Sequence, residues 1–336
     1  MLRLQEQIIK KNIIFGNYSL MIKNRRSFIV GLKSTSLLAK EKKFLIKYKP
    51  WGVILFSRNI NNLIQARKLT DSIRLIFKDK KYPILIDEEG GRVTRLKKIY
   101  DNSVFTGSFF GKIYAKDKKK FISYYKIFTD QTSFFLNKIG VNINTVPVLD
   151  LKRKKSSNII GDRSFSTNPK IIEDIGNYCI SNFKKKKIGT VIKHIPGHGL
   201  AKVDSHILTP IVKKSLNYLK KNDFLPFKKK QCFFAMTAHI IYQDIDKKYT
   251  ATHSKKVIKL IRNYIKFKNI IISDDLSMQS LKFSMEENTI RSFKAGCNLV
   301  LHCNAKYKEM LKVAVNSPII NNFIIKKTSE FYKILS

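Results

Sequence analysis

Between Lys193 and His206 the chain carries Lys193-His194-Ile195-Pro196-Gly197-His198-Gly199 and then Asp204-Ser205-His206. Three of its six histidines, a lysine and a carboxylate fall in this stretch, and Pro196 with two glycines rules out a regular helix. A loop so dense in proton-transfer groups reads as a catalytic loop. In an extended segment residues i and i+2 point the same way. Asp204 can then orient the His206 ring and raise its basicity, as carboxylate and imidazole are related in a hydrolytic triad. Ser205 would point away from both, which argues against a serine nucleophile. His194 and His198 have an i, i+4 spacing that could suit a metal on a helix, but Pro196 and Gly197 break that helix, so no metal is expected.

Two further segments carry acids. Ile271-Ile272-Ser273-Asp274-Asp275-Leu276-Ser277-Met278 places adjacent carboxylates at the end of an apolar run. Neighbours on a strand face opposite sides, so one of Asp274 and Asp275 can face a site and the other caps the next segment; periodicity does not choose between them. Asp87-Glu88-Glu89-Gly90-Gly91-Arg92-Val93-Thr94-Arg95 joins acids, a glycine pair and two arginines. The glycines permit a sharp turn, and acid with guanidinium suits a ligand rich in hydroxyls, such as a sugar. No Gly-x-Gly-x-x-Gly cradle or Walker-type lysine is present, which disfavours nucleotide binding and a nucleotide cofactor.

These residues need a frame. Eight short β-branched and aliphatic runs alternate with helical patterns: Ser27 to Leu32, Gly52 to Phe56, Tyr82 to Asp87, Val141 to Val146, Gly189 to His194, Phe233 to His239, Asn269 to Asp274 and Asn298 to Cys303. Such an alternation predicts an α/β fold, a single-domain (β/α)8 TIM barrel, with a doubly wound sheet as the alternative. Active sites of such barrels lie at the C-terminal ends of the strands. Asp87, Lys193 with His194, His239, Asp274 and His302 each close an apolar run, in a chain with only 24 acids in 336 residues. No linker marks a second domain. Residues 1–25 read as an N-terminal extension, 26–336 as the catalytic domain, and Ile319 to Ser336 as a terminal helix packed on the barrel.

The formal charge of +42 would on its own suggest a nucleic-acid or anionic-surface binder. The lysines are instead spread through every segment together with Ile, Asn, Phe and Tyr, the residues of A/T-rich codons, so the charge reads as compositional drift. Only a weak, salt-sensitive attraction to polyanions is implied, and no specific nucleic-acid partner is expected. Cys179, Cys232, Cys297 and Cys303 contain no Cys-x-x-Cys pair. No run approaches the ~18 apolar residues of a membrane span. The expectation is a cytoplasmic, monomeric protein with reduced thiols and no membrane partner.

Taken together, Ile86 to Val93, Val146-Pro147-Val148-Leu149-Asp150, Lys193 to Gly199 with Asp204-Ser205-His206, and Ser273 to Met278 resemble glycoside hydrolase family three, in its single-domain bacterial β-N-acetylhexosaminidase branch. The resemblance runs in order from about Ser27 to Asn304. It implies a retaining exo-β-N-acetylglucosaminidase that removes terminal non-reducing N-acetylglucosamine from peptidoglycan fragments (muropeptides) in cell-wall recycling. It places the nucleophile at Asp274, the acid/base at His206 with Asp204 as its partner, and the sugar contacts at Asp87, Arg95, Arg163, Lys193 and His194, with no cofactor. Larger members take their acid/base carboxylate from a second domain, which this length does not accommodate. A histidine of ordinary pKa ~6.5, raised by Asp204, could give up a proton near neutrality. Glu88 stands where the family commonly has Gln, adding charge beside Asp87, and Asn298 stands where an Asp is usual. A β-glucosidase, β-xylosidase or phosphorylase on the same fold, and a non-enzymatic basic binding protein, are the competing readings.

Overall fold

The computed structural model describes residues 22–153, 158–205 and 207–336. Residues 1–21, most of the expected extension, lie outside the described residues, and so does His206. The strands are β1 (Arg26–Gly31), β2 (Pro50–Leu55), β3 (Ile84–Ile86), β4 (Ile143–Asn144), β5 (Gly189–Ile195), β6 (Ile211–Val212), β7 (Phe234–Thr237), β8 (Ile241–Tyr242), β9 (Ile270–Asp275) and β10 (Leu299–His302). Eight close into a barrel in the order β1-β2-β3-β4-β5-β7-β9-β10, every pair parallel. Each corresponds to one of the eight runs read from the sequence. The short β6 and β8 pair with each other beside the barrel.

Helices fill every crossover: α1 (Ala39–Tyr48), α2 (Leu63–Phe77), α3 (Gly107–Lys116), α4 (Lys118–Lys138), α5 (Pro169–Lys185), α6 (Leu216–Lys221), α7 (Lys255–Asn263), α8 (Met285–Ala295), α9 (Tyr307–Asn316) and α10 (Asn322–Ile334). α5 shows how sequence specifies them. Asn168 caps it by accepting from the Lys170 N–H, Pro169 occupies the first turn, and Ile172, Ile175, Cys179, Ile180 and Phe183 form the buried stripe.

Strand alternation sorts the aliphatic side chains into two layers. Phe28, Val30, Ile84, Ile86, Ile192, Ala235, Ile271 and Val300 pack outward against the helices. Ile29, Leu85, Val191, Phe234, Met236, Ile270, Ile272, Leu299 and Leu301 fill the barrel interior. The expected terminal helix is α10, and its Ile324, Phe331 and Tyr332 join this interior cluster together with Ile22, closing the end at which the strands begin. A Cβ on Gly189 would come within 2.6 Å of the Phe331 ring, so the helix seats against bare backbone there.

The same end is tied by a buried ion pair. Arg25 Nη2 meets Asp79 Oδ2 at 2.5 Å, Arg25 Nη1 donates to the Tyr332 hydroxyl at 3.0 Å, and that hydroxyl donates to Asp79 at 2.6 Å. The guanidinium also lies 4.7 Å from the Tyr82 ring centroid. Asp79→Asn leaves this cation without its counter-charge and is expected to lower stability by about 3–5 kcal/mol. Chemical denaturation would measure the loss, with turnover per folded molecule unchanged because the cluster lies at the opposite end from the acids.

Candidate active site

The polar residues at the open end continue the phase of the interior layer. Two residues beyond Leu85 stands Asp87, beyond Val191 Lys193, and beyond Ile272 Asp274, so all three project inward above the aliphatic floor. With Glu89, Arg95, Arg163, His194, His198 and Ser205 they line a cavity of about 140 Å³ floored by Met236 and Leu301.

On one side of the cavity a charge network joins β5 to the segments that follow β3 and β4. Lys193 Nζ lies 3.1 Å from Asp87 Oδ1, 2.6 Å from Glu89 Oε1 and 2.9 Å from Thr145 Oγ1. Thr145 donates to Asp87, and Arg95 meets the other Asp87 oxygen at 3.3 Å. Arg163 grips Glu89 with two bonds of 2.8 Å. Burial alone would raise both carboxyls. Lys193 and Arg95, with the Thr145 hydroxyl, hold Asp87 well below the usual carboxylate range. Arg163 and Lys193 bring Glu89 down to about 2. The turn that carries these acids needs its glycines: Gly90 and Gly91 adopt φ +82° and +62°, and a Cβ on Gly90 would stand 2.4 Å from the Phe105 carbonyl.

On the other side, the Asp pair divides its tasks. Asp274 faces the cavity, and its Oδ1 accepts the Asp275 N–H at 2.8 Å. Asp275 accepts from Cys303 N at 3.1 Å, Ser277 N at 3.1 Å and the Ser277 hydroxyl at 2.6 Å, pinning β9 to β10. Burial would raise the Asp274 carboxyl, but His194, His239, the Asp275 N–H and Lys193 lower it, so it is ionised. An ionised carboxylate in a cavity, opposite a cluster suited to hydroxyls, can attack an electrophilic carbon.

Asp150, fully buried, organises the histidine segment. It accepts His194 Nδ1 at 2.7 Å, the His194 N–H at 3.2 Å and the His198 N–H at 2.6 Å. A register shift between Ile192 and Ile195 lets Lys193 and His194 both reach the cavity, where strict alternation would separate them. The two imidazoles sit edge to face with centroids 5.4 Å apart, and His194 is committed to a carboxylate. Among the described residues no group of His, Cys, Asp and Glu is arranged to hold a metal ion.

The matching family model is "Glycosyl hydrolase family 3 N terminal domain", over residues 27–330. The chain belongs to glycosyl hydrolase family 3. It is 31% identical over 280 residues to a beta-hexosaminidase of Idiomarina loihiensis, covering 82% of this chain and 83% of that one. A beta-hexosaminidase of Nitrosomonas eutropha is 32% identical over 260 residues, 75% and 73% of the two chains. The structure of NagZ from Neisseria gonorrhoeae in complex with N-trifluoroacetyl-D-glucosamine superposes with a TM-score of 0.81 at 27% identity, covering 93% of this chain and 90% of that one. The chain is thus a family 3 glycoside hydrolase on a (β/α)8 barrel.

Against the family's expected site, Asp87, Arg95, Arg163, Lys193, His194 and Asp274 converge on one cavity. His239 and His302, which also close apolar runs, do not join them. His239 is buried between Thr252 at 2.7 Å and the Asp275 carbonyl at 3.0 Å, and His302 turns outward to Glu309 at 3.0 Å. The Asp204 carbonyl accepts from Ile207 N at 3.0 Å and Leu208 N at 2.9 Å. Ser205 is buried and lines the cavity, which Asp204 does not.

Glu88 also departs from expectation. It turns away from the cavity and accepts from Thr94 Oγ1, Asn102 Nδ2, Arg95 N and Leu96 N at 2.6, 2.8, 2.6 and 3.0 Å. Burial raises its carboxyl against these donors. Its work is to fold the loop that brings Arg95 to Asp87. Asn298 likewise fills a structural place, accepting from Arg262 and Ile271 N at 2.8 Å each. Sequence reasoning alone assigns no role to Glu89, Thr145, Asp150 or His198. Asp150 does carry a signal, a carboxylate closing the apolar run Val146 to Leu149.

Proposed function

We propose that this chain is a retaining exo-β-N-acetylglucosaminidase acting on peptidoglycan fragments during cell-wall recycling in the cytoplasm, with residues 26–336 as its catalytic unit and a monomer as its working form. The observation that carries the reading is the placement of ionised Asp274 across a floored cavity from the Asp87, Arg95, Arg163 and Lys193 cluster. A cavity floored by side chains accepts a saccharide by its end, which supports exo action. The names of the relatives support the N-acetylhexosaminide.

In the proposed mechanism the Asp274 carboxylate attacks the anomeric carbon as the glycosidic C–O bond breaks, and His206, oriented by Asp204, gives its proton to the departing oxygen. Water then attacks the same carbon, His206 takes the water proton, and the Asp274 ester bond breaks. Two displacements retain the β configuration. Asp87, Arg95, Arg163, Lys193 and His194 hold the sugar ring meanwhile.

The test is release of p-nitrophenol from the β-N-acetylglucosaminide and the β-glucoside, each with and without phosphate, with the product anomer read by NMR. The reading expects hydrolysis of the N-acetylglucosaminide alone, a β product first and no dependence on phosphate. An α product or a preference for glucoside would overturn it, and phosphate dependence would make the enzyme a phosphorylase.

A further inference from the structure

We infer that His198 is a positioning residue for the acid/base loop, holding Ser205, the residue between Asp204 and His206, against the barrel. The inference rests on the assignment of His206 as acid/base proposed above. His198 Nε2 lies 3.1 Å from Ser205 Oγ, and both residues are 2% exposed. Little else about this histidine could move. Its backbone N–H is fixed on Asp150, and its ring abuts His194. Gly197 and Gly199 beside it run so close to neighbouring chain that added Cβ atoms would stand 2.9 Å from the Asp223 carbonyl and 2.3 Å from the Leu151 carbonyl. The ring is therefore placed by the barrel, and Ser205 is the point at which the loop meets it.

The proton inventory gives the contact a direction. His198 Nδ1 is buried and has no hydrogen-bond partner among the described residues. An unpaired buried lone pair is tolerated better than an unpaired N–H, so the proton sits on Nε2 and is donated to Ser205 Oγ. Burial and the neighbouring His194 lower the ring to about 4 against the pull of Asp150 and Asp274. It is neutral at working pH and carries no proton that could substitute for that of His206. What it supplies is geometry, and a displacement of about 1 Å at a reacting group can cost about a hundredfold in rate.

The leaving group separates this role from a merely structural one. A 2,4-dinitrophenolate departs without protonation, whereas a phenolate needs the acid. On phenyl β-N-acetylglucosaminide, His198→Ala is expected to lower kcat/KM by roughly 10- to 100-fold, and Ser205→Ala by about 5- to 10-fold. On the dinitrophenyl glycoside both should stay within about threefold of the parent. The double variant should be no slower than His198→Ala, since one contact is lost in both. His198→Gln, whose amide N–H can stand near the Nε2 position, should recover most of the phenyl activity. Ser205→Ala removes only a hydroxyl from a loop, so it decides the matter even where His198→Ala melts early. His206→Ala is run on the same pair. Leaving-group discrimination in His206→Ala without any in His198→Ala and Ser205→Ala overturns this inference alone. Its absence in His206→Ala overturns the acid/base assignment and this inference with it.

Discussion

Asp274→Ala is expected to reduce hydrolysis of p-nitrophenyl β-N-acetylglucosaminide by roughly four to six orders of magnitude, the scale of removing a nucleophile. The barrel should remain folded. Asp274 contributes one bond, from the Asp275 N–H, whereas its neighbour supports three, one from Cys303 N at the end of β10 and two from Ser277 in the turn after β9. Asp275→Asn therefore makes the contrasting control, with stability lost and chemistry affected only through the backbone it braces. Because His194, His239, the Asp275 N–H and Lys193 keep the Asp274 carboxyl low, the proposed nucleophile stays ionised through mildly acidic pH and should not set the acidic limit of the rate. A 5-fluoro N-acetylglucosaminyl analogue, which keeps the acetamido group at C2, should accumulate on the parent enzyme, and peptide mass should place the label on Asp274. Full activity in Asp274→Ala, or a label elsewhere, would sink the assignment.

How much of this is legible in the sequence depends on what each residue does. Eight apolar runs become eight barrel strands because a barrel strand is buried on both faces, and such a run is conspicuous in a chain with 66 Lys and Arg. The same double burial hides the phase. Ile270, Ile271 and Ile272 are all apolar, so nothing in the sequence says that Ile270 and Ile272 face inward and carry Asp274 with them. Strand-end position is likewise a fair guide to Asp87, Lys193 and His194 and a poor one to His239 and His302. A strand end supplies the height of a side chain, and the register around the barrel supplies its direction. Glu88 misleads for the converse reason: adjacency to Asp87 suggests proximity to the ligand, while four donors from residues 94–102 draw it the other way.

Lys193→Met tests whether the charge network is what readies Asp87 for its proposed contact with the sugar, and it is expected to lower kcat/KM by about 10²- to 10³-fold, the cost of stranding buried charge. The substitution keeps most of the apolar stem and deletes the ammonium that touches Asp87, Glu89 and Thr145. The two acids are not affected equally. Glu89 keeps both Arg163 bonds, while Asp87 loses the cation that opposes its burial most strongly and retains Arg95 at 3.3 Å with the Thr145 hydroxyl. In the parent both carboxyls are depressed below their unfolded values of about 3.9 and 4.3, so the stability they contribute is present above those values and is lost only as pH falls through the depressed ones. Without Lys193 the folded values rise, and the loss begins at higher pH. A protonated Asp87 no longer accepts hydrogen bonds with both oxygens, so the acidic limb of kcat/KM should move upward with KM carrying most of the change. Lys193→Arg restores charge but not the compact fit among three oxygens, and it should recover the position of the limb more fully than the rate. An unmoved acidic limb in Lys193→Met, with kcat/KM within about threefold of the parent, would mean that Arg95 and Arg163 alone govern these acids.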